Sequence, residues 1–315
     1  MAHTFMTWAS ELDERAKRPV AYFLRGRFAA WGATLGDYWT LTKPEVNFLI
    51  VVTSLAGFYL GSSGRLRLPL LVHTLLGTLL VASGTATLNQ YVERAYDARM
   101  RRTARRPLPS GRLAPARALW FGMLLSLAGS LYLALVVNWL ASALAAFTLL
   151  SYLLVYTPLK RKTPFCTLIG AIPGAMPPLI GWAGARNGLT AEAWVLYAIL
   201  FLWQFPHFLS IAWMYRQDYQ GAGYQMLPLS GRKESFMAWQ VVLFSLALLV
   251  VSLVPTFLGF EGIVYLLGAL VLGLGFLLCG VRLARDRSNS LARRLALASV
   301  VYLPLVWTLM VLDKT

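Results

Sequence analysis

The sequence predicts an all-α polytopic membrane protein, with nine transmembrane helices around a central cavity. Three observations predict it. The chain is 58% hydrophobic and only 13% charged, with a mean hydropathy of +0.60, which excludes a soluble globular domain. Its apolar residues gather into runs near the ~20 that cross a ~30 Å hydrocarbon core. Its basic residues fall almost entirely on one side once those runs are laid end to end across a membrane.

Residues 1–40 read as a separate cytoplasmic or interfacial segment ahead of a membrane domain at 41–315. They hold no apolar core before a small-residue cleavage site, so no signal peptide is expected. Glu11, Asp13 and Glu14 argue against a mitochondrial transit peptide, which is poor in acids. From Arg15 to Trp39, Arg and Lys alternate with Phe, Tyr and Trp. That mixture predicts an amphipathic helix lying on the membrane surface.

Nine spans follow, at 44–62, 68–90, 115–136, 139–157, 165–184, 191–213, 236–258, 261–282 and 291–311. Spans 1 and 2 are joined by a short loop with Arg65 and Arg67. Spans 2 and 3 are joined by a strongly basic stretch from Arg94 to Arg117. Spans 4 and 5 are separated by Lys160, Arg161 and Lys162, and spans 5 and 6 by Arg186. Arg216, Arg232 and Lys233 lie between spans 6 and 7, and five arginines cluster around the turn between spans 8 and 9. Of 29 basic residues, all but Arg65, Arg67, Arg186 and Lys314 lie on the side of the N-terminus. The positive-inside rule therefore predicts N-terminus in and C-terminus out. It also explains the net charge of +16 without nucleic acid, because the charge is confined to loops.

Cys166 and Cys279 both lie in apolar segments, so no disulfide framework or cysteine metal site is expected. No Asp or Glu falls at the middle of a span. Ion-coupled transporters usually carry such intramembrane acids, so their absence counts against a transporter.

The chemistry concentrates at the end of the second span. Asn89, Glu93 and Asp97 are four residues apart and stack along one face of a continuing helix. Arg99, Arg101, Arg102, Arg105 and Arg106 follow at once. Oxygen ligands beside guanidinium forks are what a Mg²⁺-diphosphate needs: acids for the hard cation, arginines for the phosphate oxygens.

The same pattern returns further on. Asp97 precedes Leu108-Pro109-Ser110-Gly111-Arg112, and Asp218 precedes Leu227-Pro228-Leu229-Ser230-Gly231-Arg232. The two Asp residues are separated by four spans and their loops. This reads as a duplicated four-helix unit plus a ninth helix. Internal repeats in membrane proteins place the functional site at the repeat interface, which would bring Asp97 and Asp218 face to face.

Several stretches together resemble the UbiA superfamily of membrane prenyltransferases, over residues 40–312. They are Leu41-Thr-Lys-Pro44 with Asn47; Asn89 through Asp97; Arg102 to Arg106-Pro-Leu; Tyr156-Thr-Pro-Leu-Lys160-Arg161; Gly170 to Trp182; Trp203-Gln204-Phe-Pro206-His207-Phe208; and Asp218-Tyr219 through Pro228. The Asn/acid motif is common to the superfamily. The stretches around His207 and Asp218 resemble its heme-farnesylating branch. That resemblance implies transfer of farnesyl from farnesyl diphosphate to a vinyl group of heme b, with addition of water, giving heme O and diphosphate for heme-copper oxidases. It implies Mg²⁺ as cofactor, the lipid bilayer as surroundings, and heme A synthase or a terminal oxidase as partner. A bacterial inner membrane fits better than a mitochondrial one. Nucleic acid is not expected as a partner.

The candidate site residues follow. Asn89, Asp97 and Asp218 are the expected catalytic residues, and with Glu93 they form the expected Mg²⁺ set. The chain departs from the family pattern in two places. Met214 and Ala222 flank Asp218 where a second acid is usual, and Glu93 stands where Asp is more common, so one or two Mg²⁺ are both compatible. Arg102 and Arg106 are four apart, can share a helical face, and are expected to clamp the diphosphate or a heme propionate. Lys160 and Arg161 are expected on the leaving diphosphate. His207, the only His deep in a span, is costly there unless used or hydrogen-bonded, and is the candidate for holding heme iron. Pro173, Pro177 and Pro178 interrupt span 5, as a pocket wall or a packing kink. Two other readings compete: a sister enzyme acting on an aromatic quinone precursor, and a non-catalytic heme carrier.

Overall fold

A computed structural model describes residues 34–224 and 232–314. The interfacial helix expected from Arg15 lies largely outside them, as does the second Leu-Pro-Leu-Ser-Gly segment. Among the described residues nine helices are long and apolar enough to cross a membrane. The only β pairing among them is one isolated bridge, Glu261 with Lys314.

The spans are α1 (Pro44–Gly61), α2 (Leu68–Asp97), α3 (Pro115–Val137), α4 (Trp139–Leu159), α5 (Cys166–Arg186), α6 (Ala191–Met214), α7 (Arg232–Phe257), α8 (Ile263–Asp286) and α9 (Asn289–Leu312). Proline opens α1, α2 and α3 within their first two positions, where its missing N–H has no intrahelical partner to lose. α2 packs on α3, α1 on α5, and α6 on both α7 and α9, while α9 also reaches α1 and closes the bundle.

Three departures from regular helix position the site. First, residues 34–42 are helical and stop at Lys43, which takes a left-handed conformation (φ 52°, ψ 66°). Pro44 follows it directly, and its ring disfavours the right-handed α region for the residue before it, so the helix cannot run straight through Lys43. Asn47 holds the break, donating to the Thr42 carbonyl at 2.8 Å and to Ser83 Oγ at 2.8 Å. Second, α2 runs to Asp97 without interruption, 30 residues in all, about 45 Å at 1.5 Å per residue. It overshoots the ~30 Å core and carries Asn89, Glu93 and Asp97 over about its last two and a half turns. Third, α4 ends in a π-helical turn, Ser151–Tyr156, before Thr157–Leu159. Such turns recur at functional sites because they redirect a helix face.

α5 is the most buried span, and it is two helices, Cys166–Gly174 and Pro177–Arg186. Its break packs against α1. Gly57 lies directly on the Pro178 backbone, Gly181 lies on Ser54, and Ser54 Oγ donates to the Pro177 carbonyl at 2.8 Å. The proline interruption is thus a packing feature on its α1 side.

Candidate functional site

Asn89, Glu93 and Asp97 form a buried column, at 1%, 7% and 2% exposure. Each rung is met by a cation from a different segment. Lys43 Nζ, at the break before α1, donates to Asn89 Oδ1 at 3.3 Å. Lys160 Nζ, just past α4, donates to Glu93 Oε1 at 2.9 Å. Arg106 Nη1, in the loop after α2, donates to Asp97 Oδ2 at 2.7 Å. Asn89 Nδ2 also donates to Thr157 Oγ1 at 3.2 Å, and that hydroxyl donates to the Tyr152 carbonyl of the π turn. The turn therefore delivers both Thr157 and Lys160 to the column.

Burial in this setting splits the two lysines. Lys43 is pushed down to about 8, first by burial and then by the Arg106 and Lys160 charges, against the pull of Glu93 and Asp97. Burial works against the Lys160 charge too, but Tyr156 and the Glu93 carboxylate outweigh it, and Lys160 is held well above the ordinary lysine range. The Tyr156 and Tyr152 rings lie 4.5 and 5.8 Å from its ammonium, adding cation–π attraction.

Arg102 and Arg106 do not share a helical face. Residues 98–112 are a string of turns, so Arg106 turns back to Asp97 while Arg102 reaches Tyr219 Oη at 3.3 Å and lies over the Tyr215 and Tyr219 rings. Arg161 donates to Tyr96 Oη at 2.6 Å, with its guanidinium 4.8 Å from that ring. The Asp218 segment is therefore drawn to the column's end of the bundle. Tyr96 and Met100 pack there against Tyr219, Ala222 and Tyr224. The Asp218 carboxylate itself is half-buried and has no partner among the described residues. No group of three acids, histidines or cysteines arranged to hold a metal occurs among the described residues. Asp97 and Asp218 thus share one end of the molecule without forming a preassembled carboxylate cluster.

His207 stands apart from the column. It lies seven residues before the end of α6, about 10 Å into the bundle. Its Nδ1 is 2.6 Å from Ser299 Oγ on α9, and its ring stacks on Trp203.

Residues 50–303 match the UbiA prenyltransferase family. The chain belongs to that family. It is 53% identical over 287 residues to the protoheme IX farnesyltransferase of Solibacter usitatus (strain Ellin6076), covering 88% of this chain and 98% of that one. It is 46% identical over 292 residues to the protein of the same name from Koribacter versatilis (strain Ellin345), covering 89% and 94%. The fold matches a digeranylgeranylglyceryl phosphate synthase at a TM-score of 0.73 and 18% identity, over 89% of this chain and 98% of that one. It also matches a UbiA homologue from Archaeoglobus fulgidus bound to DMAPP and Mg²⁺, at a TM-score of 0.65 and 15% identity, over 87% and 99%.

For this UbiA-family prenyltransferase, the column's chemistry suits a hard divalent cation: two carboxylates and an amide oxygen, with no nitrogen or sulfur donor. Mg²⁺ keeps several waters, takes one or two carboxylates and otherwise binds substrate phosphates, so a sparse acid set fits. The cations in direct contact outnumber the carboxylates, with Lys43, Arg106 and Lys160 against Glu93 and Asp97. That excess suits an anionic ligand.

Lys43 and Thr157 are the polar members of the site that sequence reasoning did not single out. Lys43 was visible inside Leu41-Thr-Lys-Pro44, but by sequence it counts only as one more positive charge at a span end. Its approach to Asn89 depends on the left-handed break at Lys43 itself, which sequence pattern does not reveal.

Proposed function

We propose that this prenyltransferase transfers the farnesyl group of farnesyl diphosphate to a vinyl group of heme b, with addition of water, to give heme O and diphosphate. The carrying observation is the buried Asn89–Glu93–Asp97 column engaged by three cations from three separate segments. Identity of up to 53% to proteins named protoheme IX farnesyltransferase supports the choice of acceptor.

Asn89, Glu93 and Asp97 would hold Mg²⁺, with Asp218 close by, and the ion supplies charge neutralisation at the diphosphate oxygens. Lys43, Arg106 and Lys160 bind the diphosphate, and Arg102 and Arg161 extend the basic rim. As the allylic C–O bond breaks, negative charge grows on the departing diphosphate. Fixed cations in a water-poor site stabilise that charge more than they stabilise the bound substrate, and so lower the barrier. The farnesyl C1 joins the vinyl carbon, water adds at the carbon left cationic, and one proton leaves to solvent. His207 holds the heme. The side of the membrane that carries the column is the cytoplasmic one, a reading the basic-residue asymmetry supports, and the membrane is a bacterial inner membrane. The product passes to a heme A synthase or a terminal oxidase.

The test is the mass of heme extracted after incubating purified protein with heme b, farnesyl diphosphate and Mg²⁺. The expected result is a gain of one farnesyl and one hydroxyl group, absent without Mg²⁺ and in Asp97→Asn. Unchanged heme despite intact heme binding would point instead to a carrier or to another acceptor.

A further inference from the structure

The environment of His207 defines which of its nitrogens can act. Ser299 is fully buried on α9 and makes two short contacts through one hydroxyl. Its Oγ lies 2.6 Å from the Ala296 carbonyl and 2.6 Å from His207 Nδ1. A hydroxyl has one proton to give. The Ala296 carbonyl has none, so that contact is a hydrogen bond only if Ser299 donates. The proton between Ser299 and His207 must then come from the imidazole. His207 is therefore the Nδ1–H tautomer, and its Nε2 carries the lone pair.

Trp203 fixes the ring from two directions. Its indole stacks on the imidazole, with centroids 4.6 Å apart and planes 15° from parallel. Its Nε1–H donates to the Ser299 carbonyl at 2.8 Å, so the residue that sets the tautomer is itself tied to α6. Nε2 makes no hydrogen bond among the described residues, and the ring is half-buried rather than sealed. A polar nitrogen at this depth is costly unless something binds it.

We propose that Ser299 and Trp203 are positioning residues that hold His207 as the Nδ1–H tautomer and present Nε2 as the axial ligand to the iron of the heme substrate. Metal-binding histidines almost always donate their other N–H to a partner that sets ring orientation and ligand strength. Here the partner is a neutral hydroxyl, which raises ligand basicity less than a carboxylate does. That suits a heme that must leave after reaction. The iron half of the proposal rests on the heme reading above; the tautomer half does not.

The chain has three histidines, His3, His73 and His207, so imidazole ¹⁵N spectra of histidine-labelled protein are assignable with His73→Asn and His207→Asn. Without heme, His207 is expected as Nδ1–H in the wild type, shifting toward the Nε2–H form in Ser299→Ala. An Nε2–H His207 in the wild type overturns the tautomer, whatever heme does. With ferrous heme bound, the Fe–His stretching band in resonance Raman should vanish in His207→Ala. In Ser299→Ala it should fall in frequency, with heme affinity down about 10-fold. An unchanged band in His207→Ala overturns iron ligation, while farnesyl transfer in that variant would leave the transferase reading standing. A band unchanged in Ser299→Ala overturns the positioning role.

Discussion

Lys43 sits where backbone geometry and electrostatics meet. A non-glycine residue in the left-handed region costs about 1–3 kcal/mol, and here the cost sets an ammonium against Asn89. Neutralising it in Lys43→Met should remove a charge-assisted contact worth about 1.5–3 kcal/mol, weakening farnesyl diphosphate binding about 10- to 100-fold. Wild-type affinity should also fall as pH rises through about 8, because Lys43 loses its charge there, whereas Lys43→Arg should bind on past that point. Titration calorimetry across pH checks both, and an affinity in Lys43→Met equal to the wild type's would remove Lys43 from the site. The Glu93–Lys160 pair obeys a different rule. Both side chains are about nine-tenths buried, so removing one partner strands the other. Lys160→Met alone should cost about 3–5 kcal/mol of stability, while Glu93→Gln with Lys160→Met should recover most of it. Thermal unfolding of the two single variants and the double variant measures this, and purely additive losses would show that the pair does not couple.

At the scale of elements, what was legible depended on whether local pattern or long-range packing decided it. The apolar runs place nine spans because length and hydropathy are local. The four-residue spacing of Asn89, Glu93 and Asp97 places them on one helix face for the same reason, and α2 carries them there by continuing to Asp97. Arg102 and Arg106 have that spacing too, yet they diverge, because residues 98–112 turn instead of continuing a helix. The proline break of α5 was visible, but its partner was not, since α1 meets it across more than 100 residues of chain. Nor does a serine in a ninth apolar run carry any mark of the histidine it meets. The α1–α5 contact is close enough to test. A Cβ on Gly57 would collide with the Pro178 carbonyl oxygen, a backbone atom that cannot swing away. Gly57→Ala should therefore destabilise the protein by about 1–3 kcal/mol through overpacking. Gly36→Ala, with nothing within 4 Å, should leave stability level or slightly higher. Equal melting temperatures for the two variants would mean that α1 and α5 separate easily.

For the whole molecule, three of the four basic residues that break the charge asymmetry have structural work at the end opposite the column. Arg67 donates to the Ala185 carbonyl at 2.7 Å, Arg186 to that of Gly61, and Lys314 to those of Tyr59 and Ser62 at 3.0 and 2.6 Å. Each cation meets carbonyls at a helix C-terminus, where the last turn lacks partners and the dipole is negative. Lys314 thereby ties the end of α9 to the end of α1, and Asp313 Oδ2 accepts from Tyr265 N in the first turn of α8. Glu261 lies inside this closure. It is 2% exposed, and neither carboxylate oxygen has a partner among the described residues. Burial, and then the neighbouring Asp313 charge, push it up to about 8 from its ordinary 4.5. A carboxyl whose pKa is raised by folding binds its proton more tightly in the native state. Its contribution to stability is full below pH 4.5, shrinks as pH rises, and is lost above about 8. Glu261→Gln keeps the shape and removes the titration. The variant should match the wild type near pH 4.5 and gain on it steadily up to pH 8, by up to about 4 kcal/mol, because the wild type must by then ionise a carboxyl whose proton the folded state holds more tightly. Denaturation curves for the two proteins at pH 5 and pH 9 decide it. Parallel curves at both values would mean that Glu261 is ionised and compensated throughout, and that the closure at this end does not depend on its proton.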